Sequence, residues 1–296
     1  MANFVIVTDS GSDLSAEMIE ELGIKVLPLT YMLDGATYAN NPDHREYPIS
    51  DFYKTIKSGA PVSTSAVNVG EFLDSFTEIL ETGKDLMYIG LSSGISATFQ
   101  NANNACEELK EKYPDRKIAA IDSLCASMGE GLLTYLAVKK AEETDDFDAV
   151  VEYVTALRHN ICHEFTVDDL GQLKRGGRIS PAVAFVGSML QIKPMLYVNP
   201  VGKLIPLDKV RGRRIALNKL TENIVAHCVD EDKTPIFISH GDCEDEALAV
   251  ADMVKAAMPG KQVFINHIGP VIGAHSGFKT IAVFCVGNGR GESREK

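Results

Sequence analysis

The first half of the chain alternates short apolar runs with amphipathic stretches. Residues 4–7, 26–33, 86–91 and 118–121 read as strands, and the stretches near 15–23, 70–82, 97–112, 127–142 and 146–159 read as helices. Such alternation implies βαβ crossovers, hence a parallel sheet covered on both faces. Past residue 160 the pattern changes. Residues 192–198 and 203–210 flank Asn199-Pro200-Val201-Gly202, which predicts a hairpin. A helix at 212–228, a strand at 235–239, a helix at 243–258 and strands at 262–267 and 280–286 follow. The expected architecture is α/β with two domains. Residues 1–160 form a parallel sheet flanked by helices, and residues 161–296 a smaller domain with a mixed sheet, although no Pro/Gly/Ser linker marks the boundary.

The segments after the first-half strands carry the main chemical signal. They are Thr8-Asp9-Ser10-Gly11-Ser12-Asp13-Leu14-Ser15, then Ser63-Thr64-Ser65, then Ser92-Ser93-Gly94-Ile95-Ser96-Ala97-Thr98, then Asp122-Ser123-Leu124-Cys125-Ala126-Ser127. Four hydroxyl-rich loops are thus expected at the carboxyl edge of one parallel sheet, where open α/β sheets bind ligands. Helix N-capping accounts for some of these side chains, Ser15 and Ser127 among them. It does not account for the excess over 92–98, because one cap needs one hydroxyl.

Composition narrows the classes. At 296 residues, 45% hydrophobic and 24% charged, the chain has the profile of a soluble globular protein of about two domains. The longest largely apolar region, 181–198, is broken by Gln191, Lys193 and Pro194 and falls short of the roughly 20 residues of a membrane span. The N-terminus lacks the basic start of a signal peptide, so a cytoplasmic location is expected. Six scattered cysteines without a C-x-x-C pair read as reduced thiols. His159 and His163 have helical metal-ligand spacing, but the apolar run around them reads as the start of a strand, and no metal is expected.

Net charge is −12, which argues against nucleic acid as a partner. Residues 174–219 nevertheless hold ten Lys/Arg and one acid, a local +9 that leaves −21 on the rest. One basic face on an acidic body fits a phosphate-bearing or acidic partner.

Three chemistries compete for the sheet edge. Nucleotide binding lacks its loops: there is no G-x-x-x-x-G-K-[ST], and Gly287-Asn288-Gly289-Arg290-Gly291 lies in the tail with no helix to follow. Gly90-Leu91-Ser92-Ser93-Gly94 matches the G-x-S-x-G elbow of serine hydrolases, with Asp242 and His267 or His275 able to complete the order. The third is a non-covalent anion site, in which hydroxyls and free N–H groups ahead of helices receive a carboxylate or phosphate. Thr64 and Ser96 would supply it, with Gly94 letting the backbone approach the ligand.

Val7-Thr8-Asp9-Ser10, Ser63-Thr64-Ser65, the run from Leu91 to Thr98, Asp122-Ser123, Leu173-Lys174-Arg175-Gly176-Gly177-Arg178-Ile179-Ser180, Lys209-Val210-Arg211-Gly212-Arg213 and Ile268-Gly269-Pro270-Val271-Ile272-Gly273-Ala274-His275 together resemble the DegV family over nearly the whole chain. The resemblance implies two α/β domains with a long-chain fatty acid held between them and no catalysis by this chain alone. It implies a binding subunit of bacterial fatty acid kinase, presenting the acyl carboxylate to a separate ATP-binding subunit for acyl phosphate formation and phospholipid synthesis. By motif, Thr64 and Ser96 would bind the carboxylate. Ser65, Ser93, Gly94, Ala97 and His275 would lie near the head group, and Arg175, Arg178 and Arg211 would face the kinase. A bound fatty acid is the expected ligand, with no other cofactor. Two segments depart from the family pattern, Ala66-Val67-Asn68 and Gly277-Phe278-Lys279, both at the expected pocket mouth. A Ser92 hydrolase of lipid esters and a passive lipid carrier are the alternative readings.

Overall fold

A computed structural model of the chain describes residues 3–168, 170–180, 191–229 and 234–290. Residues 181–190 of the long apolar stretch, and Gly291 of the tail motif, lie outside that set. The first half runs β1 (Phe4–Asp9), α1 (Ala16–Leu22), β2 (Lys25–Leu27), β3 (Thr30–Leu33), β4 (Ala36–Ala39), α2 (Ile49–Lys57), β5 (Val62–Ser65), α3 (Val69–Glu81), β6 (Asp85–Gly90), α4 (Thr98–Lys112), β7 (Ile118–Asp122), α5 (Met128–Glu143) and α6 (Phe147–Leu157). The second runs β8 (Ile161–Thr166), α7 (Gly171–Arg175), β9 (Ile192–Val198), β10 (Leu204–Arg211), α8 (Arg213–His227), β11 (Ile236–His240), α9 (Glu244–Ala257), β12 (Val263–His267), α10 (Pro270–Ser276) and β13 (Ile281–Val286).

Three sheets result. A four-stranded sheet ordered β2-β1-β6-β7 is parallel throughout. Its central strand β6 is buried from Leu86 to Gly90, as a strand covered on both faces must be. The second half builds a mixed six-stranded sheet, β10-β9-β8-β13-β11-β12, so the half expected to be smaller carries the larger sheet. The third, β4-β3-β5, is antiparallel. The 26–33 run is therefore two strands. Pro28 has no N–H for a ladder, and the chain leaves the parallel sheet there to enter the three-stranded one.

Helix signals map onto observed ends. Asn68 and Glu71 close a capping box on α3, which buries Phe72, Phe76, Ile79 and Leu80 at helical spacing. α5 packs against strands of both large sheets, and one hydrophobic cluster runs through it from Phe4 to Phe284. The two halves therefore share a core. The short helix α10, with proline in its first turn, belongs to the second half by sequence yet packs against α2, β3 and β5 of the first. No described helix is long and apolar enough to cross a membrane.

Candidate functional site

A cavity of about 260 Å³ lies between the halves. Its wall is mostly apolar, drawn from Leu29, Leu91, Phe165, Val198, Ile272 and Phe284. Thr64, Ser65, Ser96, Arg178 and His275 add a polar cluster to that wall, which Ala97 also lines.

Thr64 stands on β5, so it is a strand residue of the three-stranded sheet and not a loop residue ahead of a helix. Its Oγ1 lies 2.8 Å from Nε2 of His275 on α10. Burial, and secondarily the charge of Arg178, lower the His275 pKa to about 4, so the ring is neutral at pH 7. Its Nδ1 is buried without a partner. A buried orphan N–H is rarer than a buried orphan acceptor, so we assign the proton to Nε2. Nε2–H then donates to Thr64, which leaves the threonine's own proton free to donate to a ligand. Ser96 lies ahead of α4, where its Oγ accepts from the Thr98 N–H at 3.2 Å and shares a proton with Thr98 Oγ1 at 2.9 Å.

Arg178 corrects an expectation. Instead of standing on an outer face, it lines the cavity, because Ile95 O accepts from its Nε at 3.0 Å and Gly176 O from its Nη1 at 2.5 Å. Burial lowers its pKa. The polar cluster therefore contains a cation. Arg175, at the end of α7, and Arg211, at the end of β10, are exposed.

The Leu91–Thr98 loop is organised differently from its sequence reading. Ser92 is fully buried and absent from the cavity wall. Its Oγ donates to Gly202 O at 2.9 Å and accepts from the Gly94 N–H at 3.1 Å. A hydroxyl so committed, with no imidazole bonded to it, cannot serve as the elbow nucleophile. Gly94 also leaves the wall. A Cβ there would stand 2.6 Å from Gly202 O and 2.7 Å from Val201 O, so glycine is required by the hairpin turn and not by a ligand. Ser93 is exposed, and its N–H donates to Asp122 at 3.2 Å.

Behind the same edge sits a sealed nest of acids. Asp9 accepts from Tyr88 Oη at 2.6 Å, Leu91 N–H at 3.0 Å and Gly11 N–H at 2.8 Å. Glu130 accepts from Thr8 Oγ1 at 2.8 Å, while its Oε2 has no partner. Burial, then the Asp9 charge, raise the Glu130 pKa well above its ordinary value. Burial lifts Asp13 to about 7. Ser127, read as an N-cap, makes no side-chain cap. Its Oγ instead donates to Asp13 at 2.5 Å and meets Ser239 Oγ at 2.8 Å, tying the halves together.

His163 also lines the cavity, with Nδ1–H donating to Ile161 O at 3.0 Å and Nε2 accepting from the Ala126 N–H at 3.3 Å. The signal was present: period two along β8 puts His163 on one face with Phe165. Among the described residues no group of three His, Cys, Asp or Glu is placed to hold a metal ion.

A family model described as "Uncharacterised protein, DegV family COG1307" matches residues 3–288. The chain belongs to the DegV family. A DegV domain-containing protein of Clostridium perfringens is 40% identical over 288 residues, covering 97% of this chain and 99% of its own. A DegV family protein from Thermus thermophilus, described as fatty acid binding, has 30% identity and a TM-score of 0.85 over 96% of this chain and 99% of its own. DegV of Bacillus subtilis, described as a fatty acid binding protein, has 28% identity and a TM-score of 0.80 over the same shares. The two-domain α/β fold is thus the DegV fold.

Proposed function

We propose that this DegV chain binds a long-chain fatty acid, with the carboxylate at Thr64 and Ser96 and the tail in the cavity, and presents it to a separate ATP-binding subunit. One observation carries the lipid reading: Thr64, Ser96 and Arg178 bring hydrogen-bond donors to a mostly apolar cavity wall. The Thermus and Bacillus relatives described as fatty acid binding support it.

Energetics agree. A C16 tail has about 14 methylenes, and at about 0.8 kcal/mol each their burial is worth roughly 11 kcal/mol gross. Lost chain and rigid-body freedom opposes this by several kcal/mol. Each donor to the carboxylate adds about 1.5–3 kcal/mol. The tail therefore supplies affinity and the polar end fixes direction. In the proposed kinase reaction a carboxylate oxygen attacks the γ-phosphorus of ATP and ADP leaves. The basic 174–219 segment, with Arg175 and Arg211 exposed, supplies the docking charge.

Denaturing extraction of freshly purified protein, followed by mass spectrometry, should release fatty acid. No fatty acid, together with no uptake of added palmitate or oleate, would refute the lipid reading. For the kinase half, loaded protein incubated with the ATP-binding subunit and ATP should give acyl phosphate trapped as a hydroxamate.

A further inference from the structure

Ser92 and the hairpin turn lie outside the carboxylate site and meet each other. The turn touches the head-group loop with almost nothing between the two backbones. Ser92 Oγ donates to Gly202 O at 2.9 Å across 110 residues of sequence. A Cβ at Gly202, whose φ is +72°, would lie 2.0 Å from that oxygen, and one at Gly94 would strike the carbonyls of Val201 and Gly202. The head-group loop in turn winds on Ser92: the N–H groups of Ile95 and Ser96 donate to Ser92 O at 3.2 and 3.1 Å. Val198 and Leu204, the strand pair that closes the same turn, line the cavity. An occupant therefore meets the turn by two routes, through its tail at the closing pair and through Ser96 and Ser92 at the tip.

We infer that Ser92 is a positioning residue that couples the carboxylate site to the hairpin tip, so that the tip reports whether the cavity is filled. This rests on the fatty-acid reading above. The tip is suited to be read by a partner: Val201 is 59% exposed, the highest value among the exposed large hydrophobics of the described residues, and nearby Lys203 belongs to the basic segment. A ligand shifts such an element only if it interacts differently with its two arrangements. Ser92 supplies that difference, since ordering Ser96 around a carboxylate fixes the peptide that bonds to it. By linkage, a partner that grips the tip changes lipid affinity by the same factor that lipid changes the partner's.

The chain contains no tryptophan, so Val201→Trp places a single indole at the tip. Delipidated protein carrying Val201→Trp is titrated with oleate, following indole emission and calorimetric heat in parallel. The expected result is a saturable emission shift that tracks oleate uptake. The shift is expected to be lost in Ser92→Ala and in Gly94→Ala, both made in that background, while oleate still binds. Calorimetric binding with unchanged emission overturns the inference, as does an emission shift that survives Ser92→Ala. If neither variant takes up oleate, Ser92 and Gly94 serve the fold alone and the inference also falls. Absence of oleate binding to the unsubstituted protein would instead refute the fatty-acid reading.

Discussion

Two polar regions sit at the carboxyl edge of the parallel sheet and handle charge in opposite ways. The nest of Asp9, Asp13 and Glu130 is closed, and its acids bond to Tyr88, Leu91, Gly11, Thr8, Ser127 and Gly269, all of the chain itself. The cluster of Thr64, Ser96, Arg178 and His275 faces a cavity. Burial raises the acids of the nest and lowers His275, while Arg178 leaves a cation in the cluster. The nest holds loops in place. The cluster presents Thr64, Ser96 and Arg178 to the cavity. Polar residues gathered together are thus not evidence for one site; what separates the two groups is whether the side chains line the cavity.

The largest expected effect tests the open cluster. Thr64→Ala with Ser96→Ala removes two donors to a charged group, each worth about 1.5–3 kcal/mol, so palmitate affinity should fall roughly 10²- to 10⁴-fold by calorimetry when the losses add. An unchanged affinity would place the carboxylate elsewhere.

Next comes pH. His275 has its pKa lowered to about 4 in the fold against 6.5 as the ordinary value. The unfolded chain therefore takes up a proton that the folded one refuses, and stability is intact above pH 6.5 and lost progressively toward pH 4. At 1.36 kcal/mol per unit this reaches about 3 kcal/mol. Asp13, raised to about 7, acts in the opposite sense, gaining stability as pH falls from 7 toward 4. The measurement is accordingly a difference: His275→Asn should gain about 3 kcal/mol relative to the unsubstituted protein between pH 6.5 and 4 in urea melts. Parallel pH profiles would show that the imidazole is not held neutral.

Arg178→Ala should weaken palmitate binding by roughly tenfold, the lower end for a charge-assisted bond at a partly solvated guanidinium. Intact lipid affinity would return Arg178 to the outer surface role first expected of it. The smallest effect belongs to the nest. Glu130→Gln replaces a buried carboxyl by a neutral near-isostere, and urea unfolding should move by less than about 1 kcal/mol. A much larger loss would mean that Glu130 is ionised and paired.

Periodicity made most of the fold legible: β1, β6, β7, the long helices and the 192–211 hairpin lie within a residue or two of their expected places, because each has a regular apolar face. β4, α7 and α10 escaped because they are short, and α2 escaped although Phe52, Tyr53 and Ile56 give it a buried face. α10 has only seven residues and docks on the opposite half, a tertiary choice that no local pattern encodes. Thr64 was found as a hydroxyl but misplaced onto a loop, since the strand that carries it pairs with β3 across 30 residues. Gly94 was assigned to the ligand because its true neighbour, Gly202, lies more than 100 positions away. Arg178 was counted with the basic segment, where charge arithmetic sees a number and not a direction.

The Thr64–His275 contact joins residues 211 apart in sequence, one from each half of the chain. A ligand seated against that pair is therefore a reversible cross-link added to the helix, core and hydrogen-bond contacts the two halves already share. By mass action, free ligand at a hundredfold its Kd adds about 2.7 kcal/mol to the folded state. When the supply of ligand falls, that increment disappears, and the empty chain opens and meets proteases more often.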